Sequence, residues 1–114
     1  MGNVRAIKAH EIPSRAVLRI ARGESVTIGE RDTTWPAFVY VTAAHGEGWV
    51  PARYLDAGSG PATVLVPYDT TELPTEQGEI LTVITRDDES GWLWLRDADG
   101  RQGWVPAETV EDLP

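Results

Sequence analysis

Gly48-Trp49-Val50-Pro51-Ala52 returns 55 residues later as Gly103-Trp104-Val105-Pro106-Ala107, and this pair decides the fold. Gly23-Glu24 returns as Gly78-Glu79 at the same spacing. Between these anchors, Phe38-Val39-Tyr40-Val41 is mirrored by Trp92-Leu93-Trp94-Leu95. Three anchors in one order with nearly one spacing mark a duplicated unit. Asp56-Ala57-Gly58-Ser59-Gly60-Pro61 lies between the copies, and its small residues, glycines and proline read as a turn or linker. The expected division is a domain over 1–56, a linker over 57–61 and a second domain over 62–114.

Each copy reads as strands. Glu24–Ile28 and Glu79–Thr85 are short and β-branched. Trp92-Leu93-Trp94-Leu95 sets its tryptophans on one face and its leucines on the other, because side chains alternate along a strand. The Asp-Gly step in Asp97–Arg101 suits a hairpin turn, as does His45-Gly46-Glu47. Ile12–Arg22 has helix-like apolar spacing, but Pro13 and Gly23 bracket it. The expectation is an all-β chain of two small units that pack on one another, with no helix beyond about two turns.

Composition narrows the function. The chain has 114 residues, 41% apolar and 25% charged, which suits a folded chain of one domain or two very small ones. A net charge of −8 argues against a nucleic-acid partner. The absence of cysteine removes disulfides, thiolate nucleophiles and cysteine metal sites. Apolar runs such as Phe38–Val41 are far below membrane-spanning length, and the first residues hold no apolar signal core, so no membrane is expected and the cytoplasm is the expected location. Ser14, Ser25, Ser59 and Ser90 lie outside any nucleophile-elbow sequence. His10 and His45 have no metal-ligand spacing, and Asp97-Ala98-Asp99-Gly100 lacks the further acids of a calcium loop. The acidic tip Asp87-Asp88-Glu89 reads as a solvated loop. The expectation is a non-enzyme with no metal, cofactor or small-molecule substrate.

These motifs resemble the Src-homology-3 (SH3) pattern. Leu73-(x4)-Gly78-Glu79, then Gly91-Trp92, then Gly103-Trp104-Val105-Pro106 follow that family's order, and Val64–Tyr68 stands where the family has its first strand. In the first copy Ala6–His10 holds that place, followed by Leu18–Glu24. The resemblance covers nearly the whole chain, which is similar to bacterial proteins with two eukaryotic-type SH3 domains. It implies two tandem five-stranded SH3-like barrels and a protein or peptide partner.

In that family a groove of aromatic planes and a proline grips a stiff polyproline-type peptide, and an acidic loop holds a basic residue of the ligand. Carried over, the resemblance implies a second-copy groove of Tyr68, Trp92, Trp104 and Pro106 with acids Asp69 and Glu72. The first copy offers Phe38, Trp49, Pro51 and Tyr54, with Trp35 in the neighbouring loop. Val66 and Thr109 stand where the second copy would carry further tyrosines; Lys8, His10 and Val17 depart from the pattern in the first. By sequence halves, residues 1–56 sum to +1 and 57–114 to −9. The principal site is therefore expected on the second copy, binding a proline-containing or extended, basic segment as an adaptor would. Three rivals stand beside it: an accessory subunit whose two grooves pack on each other or in a homodimer, a cell-wall-binding module, and an enzyme on a small barrel. Facing, buried grooves would resist iodide quenching of tryptophan fluorescence; open ones would not.

Overall fold

A computed structural model describes residues 2–12 and 16–114. Pro13, the expected helix-blocking bracket, and Ser14 lie outside the described residues. The chain is all-β, as expected. Among the described residues eleven strands are joined by turns, and the helical elements are two three-residue 3₁₀ turns, Ala52–Tyr54 and Ala107–Thr109. Each of those turns follows the proline of a Gly-Trp-Val-Pro motif, whose fixed φ near −60° suits the entry to a helical turn. No helix among the described residues is long and apolar enough to cross a membrane.

The chain forms two compact units, divided differently from the expected boundaries at 56 and 62. A terminal unit comprises Met1–Ser14 with Thr71–Pro114, and a central unit comprises Arg15–Thr70. The terminal unit is a five-stranded antiparallel sheet. Its order is β10 (Gln102–Pro106), β9 (Trp92–Arg96), β8 (Ile80–Asp87), β1 (Asn3–Ala6), β11 (Val110–Asp112). The central unit has four strands, β5 (Gly46–Pro51), β4 (Phe38–Ala43), β3 (Ser25–Arg31) and β6 (Gly60–Thr63). A two-stranded ribbon of β2 (Arg19–Ile20) and β7 (Tyr68–Asp69) belongs to it as well.

The physical reason for the division is a strand exchange between the two sequence copies. β1, from the first copy, pairs with β8 and β11 of the second, while β6, which opens the second copy, pairs with β3 of the first. The two strands make the same bonds in the two units. Ala6 N–H donates to the Glu79 carbonyl at 2.8 Å and Gly78 N–H to that of Ala6 at 2.7 Å. Correspondingly, Val64 N–H donates to the Glu24 carbonyl at 2.9 Å and Gly23 N–H to that of Val64 at 2.8 Å. The expected interdomain linker is the loop of a hairpin: Leu55 bridges to Val64, and Asp56 N–H donates to the Thr63 carbonyl at 3.1 Å.

Period-two alternation builds both cores. Val4, Ala6, Leu73, Leu81, Val83, Leu93, Leu95 and Val105 form the terminal core. Val26, Ile28, Val39, Val41, Val50, Leu55, Ala62 and Val64 are buried in the central unit. Each buried branched side chain contributes roughly 1.5–3 kcal/mol relative to exposure. The repeated Gly-Glu step also has a local cause. Gly23 and Gly78 adopt φ of +87° and +91°, which glycine takes without steric cost. Each following glutamate caps its own turn: Glu24 accepts from Ala21 N–H at 3.0 Å and Glu79 from Glu76 N–H at 3.1 Å.

The exchange makes an engineered cross-link diagnostic. Arg5 and Ile80 are exposed register partners, as Ser25 and Thr63 are partners in the central unit. Both are non-hydrogen-bonded pairs that alternate with the bonded positions above, and in such pairs Cα atoms approach to about 4.5 Å, within disulfide reach. Arg5→Cys with Ile80→Cys should therefore oxidise to an intrachain disulfide, measured as the loss of two free thiols. Arg5→Cys with Ser25→Cys, which would pair if the copies kept their own strands, should stay reduced.

One loop is sensitive to acid. Burial alone would raise the Asp97 carboxyl, but it accepts from Arg101 N–H and Nε at 2.9 Å each and from Asp99 N–H at 3.0 Å, which hold its pKa below the usual value. A carboxylate depressed in the fold stabilises it above its unfolded pKa and loses that contribution as pH falls through the folded one. Asp97→Asn should lower stability at neutral pH by about 1–2 kcal/mol, a gap that closes below about pH 4. Urea unfolding of both proteins at the two pH values measures it.

Candidate functional site

In the terminal unit, Trp92 and Trp94 alternate with the buried Leu93 and Leu95, so both tryptophans lie on the outer face of β9. Register brings Pro106 opposite Trp92 and Trp104 opposite Trp94 on that face. Trp94 and Trp104 meet edge to face at 5.2 Å, and Trp94 Nε1–H donates to Gln102 Oε1 at 2.7 Å. A half-buried imidazole joins them. The His10 ring stands edge-on to Trp92 at 5.7 Å, and its Nε2 lies 2.9 Å from Glu72 Oε1. His10 is fixed there by two-way backbone bonds to Thr75 at 3.2 Å.

Glu72 owes its place to Gly103. Trp104 N–H donates to the Thr71 carbonyl at 2.9 Å and Leu73 N–H to that of Trp104 at 3.1 Å, so residues 71–73 run against β10. A Cβ on Gly103 would fall 2.7 Å from backbone atoms of Glu72 and Leu73. Only glycine permits this approach, which gives the first residue of the repeated motif its physical role. Thr109, at the position of the family's further tyrosine, is buried.

The central unit presents a parallel arrangement with different chemistry. Phe38 pairs in register with Pro51 and Tyr40 with Trp49, whose rings meet at 5.0 Å. Tyr54, at the end of its 3₁₀ turn, meets Tyr68 edge to face at 5.6 Å. Tyr68 is held by β7, where it is the partner of Ile20. One residue on, Asp69 Oδ2 accepts from Arg19 Nε at 3.0 Å. Arg53 lies 4.7 Å above the Tyr54 ring and donates to its hydroxyl at 3.3 Å. Trp35 sits in the β3–β4 connection, its N–H and that of Thr34 bound to Asp32 Oδ1.

The residues of the expected principal site divide between the two units. Glu72, Trp92, Trp104 and Pro106 belong to the terminal unit, whereas Tyr68 and Asp69 belong to the central unit with Phe38, Trp49, Pro51 and Tyr54. The strand exchange carries the segment after β6 to one unit and the segment after β1 to the other. His10 therefore stands beside Trp92, and Tyr68 beside Tyr54. Charge is redistributed too: five bases and twelve acids give the terminal unit −7, and five bases and six acids give the central unit −1. The sequence reading missed His10 as a neighbour of Trp92 and Arg53 as a neighbour of Tyr54. The signal that could have found them was the shortness of the 57–61 joint, which favours a hairpin over a crossing.

Comparison with known proteins adds the family. Residues 65–113 match the model of the variant SH3 domain family. The human SH3 and PX domain-containing protein 2B is 30% identical over 110 residues, an alignment covering 82% of this chain and 12% of that protein. The Drosophila melanogaster SH3 domain-containing protein Dlish is 38% identical over 55 residues, covering 46% of this chain and 15% of Dlish. Bovine nostrin is 38% identical over 60 residues, covering 50% of this chain and 12% of nostrin. The chain thus spans a small fraction of the length of the curated relatives it matches. No solved structure gives a significant match. Residues 65–113 are thus similar to a variant SH3 domain.

Proposed function

We propose that the chain is a tandem SH3 adaptor in which each unit offers one groove to an extended, proline-containing segment of a protein partner. The reading rests on the family match and on the duplicated aromatic and proline pairs that the two units place alike. The single observation that carries it is the Trp92–Pro106 pair. Half-buried Trp92 pairs in register with buried Pro106 across β9 and β10, inside the family-matched segment, with His10 and Glu72 beside it. A polyproline-type ligand is already stiff, so docking its ridges between a tryptophan plane and a proline costs little conformational entropy.

The terminal groove takes a basic segment. Its unit carries −7, and Glu72 stands at the groove beside His10. Long-range attraction steers such a ligand and Glu72 holds it. Trp49 and Trp104 stack on Tyr40 and Trp94 and stiffen the hairpins that carry the grooves. One groove of this size buries little area, so affinity of about micromolar or weaker is expected.

Titration of the intact protein with a synthetic Pro-x-x-Pro peptide flanked by arginines, followed by amide shifts, tests this reading. Trp92→Ala should weaken binding at the terminal unit by at least about tenfold while the far-ultraviolet spectrum is retained, since the half-buried side chain lies outside the core cluster. Unchanged binding in that variant would remove the terminal groove from consideration.

A further inference from the structure

The two grooves differ in the charge that lines them, and the central one is the reverse of the terminal one. Its acid, Asp69, is already engaged: Arg19 Nε holds Oδ2 at 3.0 Å from the neighbouring strand of the ribbon. The Arg19 side chain remains 72% exposed and Asp69 34%, so the outer member of that pair is the cation. A second guanidinium, Arg53, lies 4.7 Å from the centre of the Tyr54 ring and bonds its hydroxyl. The aromatic pair Tyr54–Tyr68 is thus bordered by Arg53 on the 3₁₀ turn, while Arg19 pairs with Asp69, the residue after Tyr68 on the ribbon. At the matching place in the terminal unit, Glu72 is accompanied by a histidine, and Thr109 stands where the central unit has Tyr54.

We infer that the central groove binds an extended, proline-containing peptide whose flanking residues are acidic, with Arg53 as the specificity-determining group. A planar guanidinium forks onto a carboxylate through two parallel N–H···O bonds, and stacking on Tyr54 orients that fork before the ligand arrives. A lysine or arginine on the ligand meets the Arg53 guanidinium, so the basic ligand suited to the terminal unit is disfavoured at this groove. Repulsion contributes to this selection as much as attraction does. The inference rests on the reading of the central aromatic pair as a peptide groove.

The experiment uses the full chain and two synthetic peptides with one Pro-x-x-Pro core, one flanked by glutamates and one by arginines. Amide and ring shifts of Tyr54 and Tyr68 report the central unit, and those of Trp92 report the terminal unit. At the central signals the glutamate peptide should bind at least about tenfold more tightly than the arginine peptide, and added salt should reduce that ratio. Arg53→Glu should invert the preference at Tyr54 and Tyr68 while leaving the Trp92 titration unchanged. Arg53→Gln, a milder change, should abolish the preference. Tighter binding of the arginine peptide at the central signals overturns the charge assignment but leaves the central groove a peptide site. If neither peptide moves Tyr54 or Tyr68, the central groove is not a peptide site and the inference falls with it.

Discussion

The hairpin that turns at Ala57–Gly60 is the constraint on which the rest of the molecule depends. After the 3₁₀ turn, Leu55 and Asp56 run antiparallel to Thr63 and Val64, and Thr63 N–H also bonds Asp56 Oδ1 at 2.8 Å. Gly60 closes the loop with φ of +65°, a conformation glycine adopts without strain. So short a connection holds the strand that begins the second copy beside the strand that ends the first. That strand then continues along β3, filling the place the first copy would have given to its own N-terminal strand. β1 occupies the equivalent place between β8 and β11. Exchange of identical elements is familiar between protomers, and duplication makes it available within one chain.

Much of this architecture is legible in the sequence because it rests on local chemistry. The Gly-Glu turns follow from positive φ and a side-chain cap, and the alternation of Trp92–Leu95 follows from the pleat. The Gly-Trp-Val-Pro motif follows from a close backbone approach at Gly103 and a proline-started turn. The partner of each strand is not legible in the same way. β1 buries Val4 and Ala6; β6 with its next residue buries Ala62 and Val64. Either strand suits either sheet, since alternation specifies the face that is buried and not the copy that supplies the neighbour. Only the length of the joint distinguishes the two arrangements.

The site inherits that ambiguity. A groove drawn along the linear copy unites Tyr68 and Asp69 with Trp92 and Pro106. Within their own units, Tyr68 meets Tyr54 and Trp92 meets His10. The family-matched segment begins at residue 65, within the central unit, so the linear and spatial definitions of the domain differ by one strand and its following loop. Arg5 and Lys8 join the acidic unit for the same reason, and Asp69 leaves it to meet Arg19. Groove chemistry is set by topology as well as by the identity of the groove residues.

Through-space proton contacts in the uniformly labelled protein test the exchange most directly. In antiparallel pairs of the kind made by Arg5 with Ile80 and by Thr63 with Ser25, the two Hα atoms face each other across the strands. The exchanged fold gives strong Hα–Hα cross-peaks for those two pairs in the monomer. Cross-peaks joining Arg5 to Ser25 and Thr63 to Ile80 would instead show that each copy keeps its own first strand, and the assignment of residues to both grooves would be wrong.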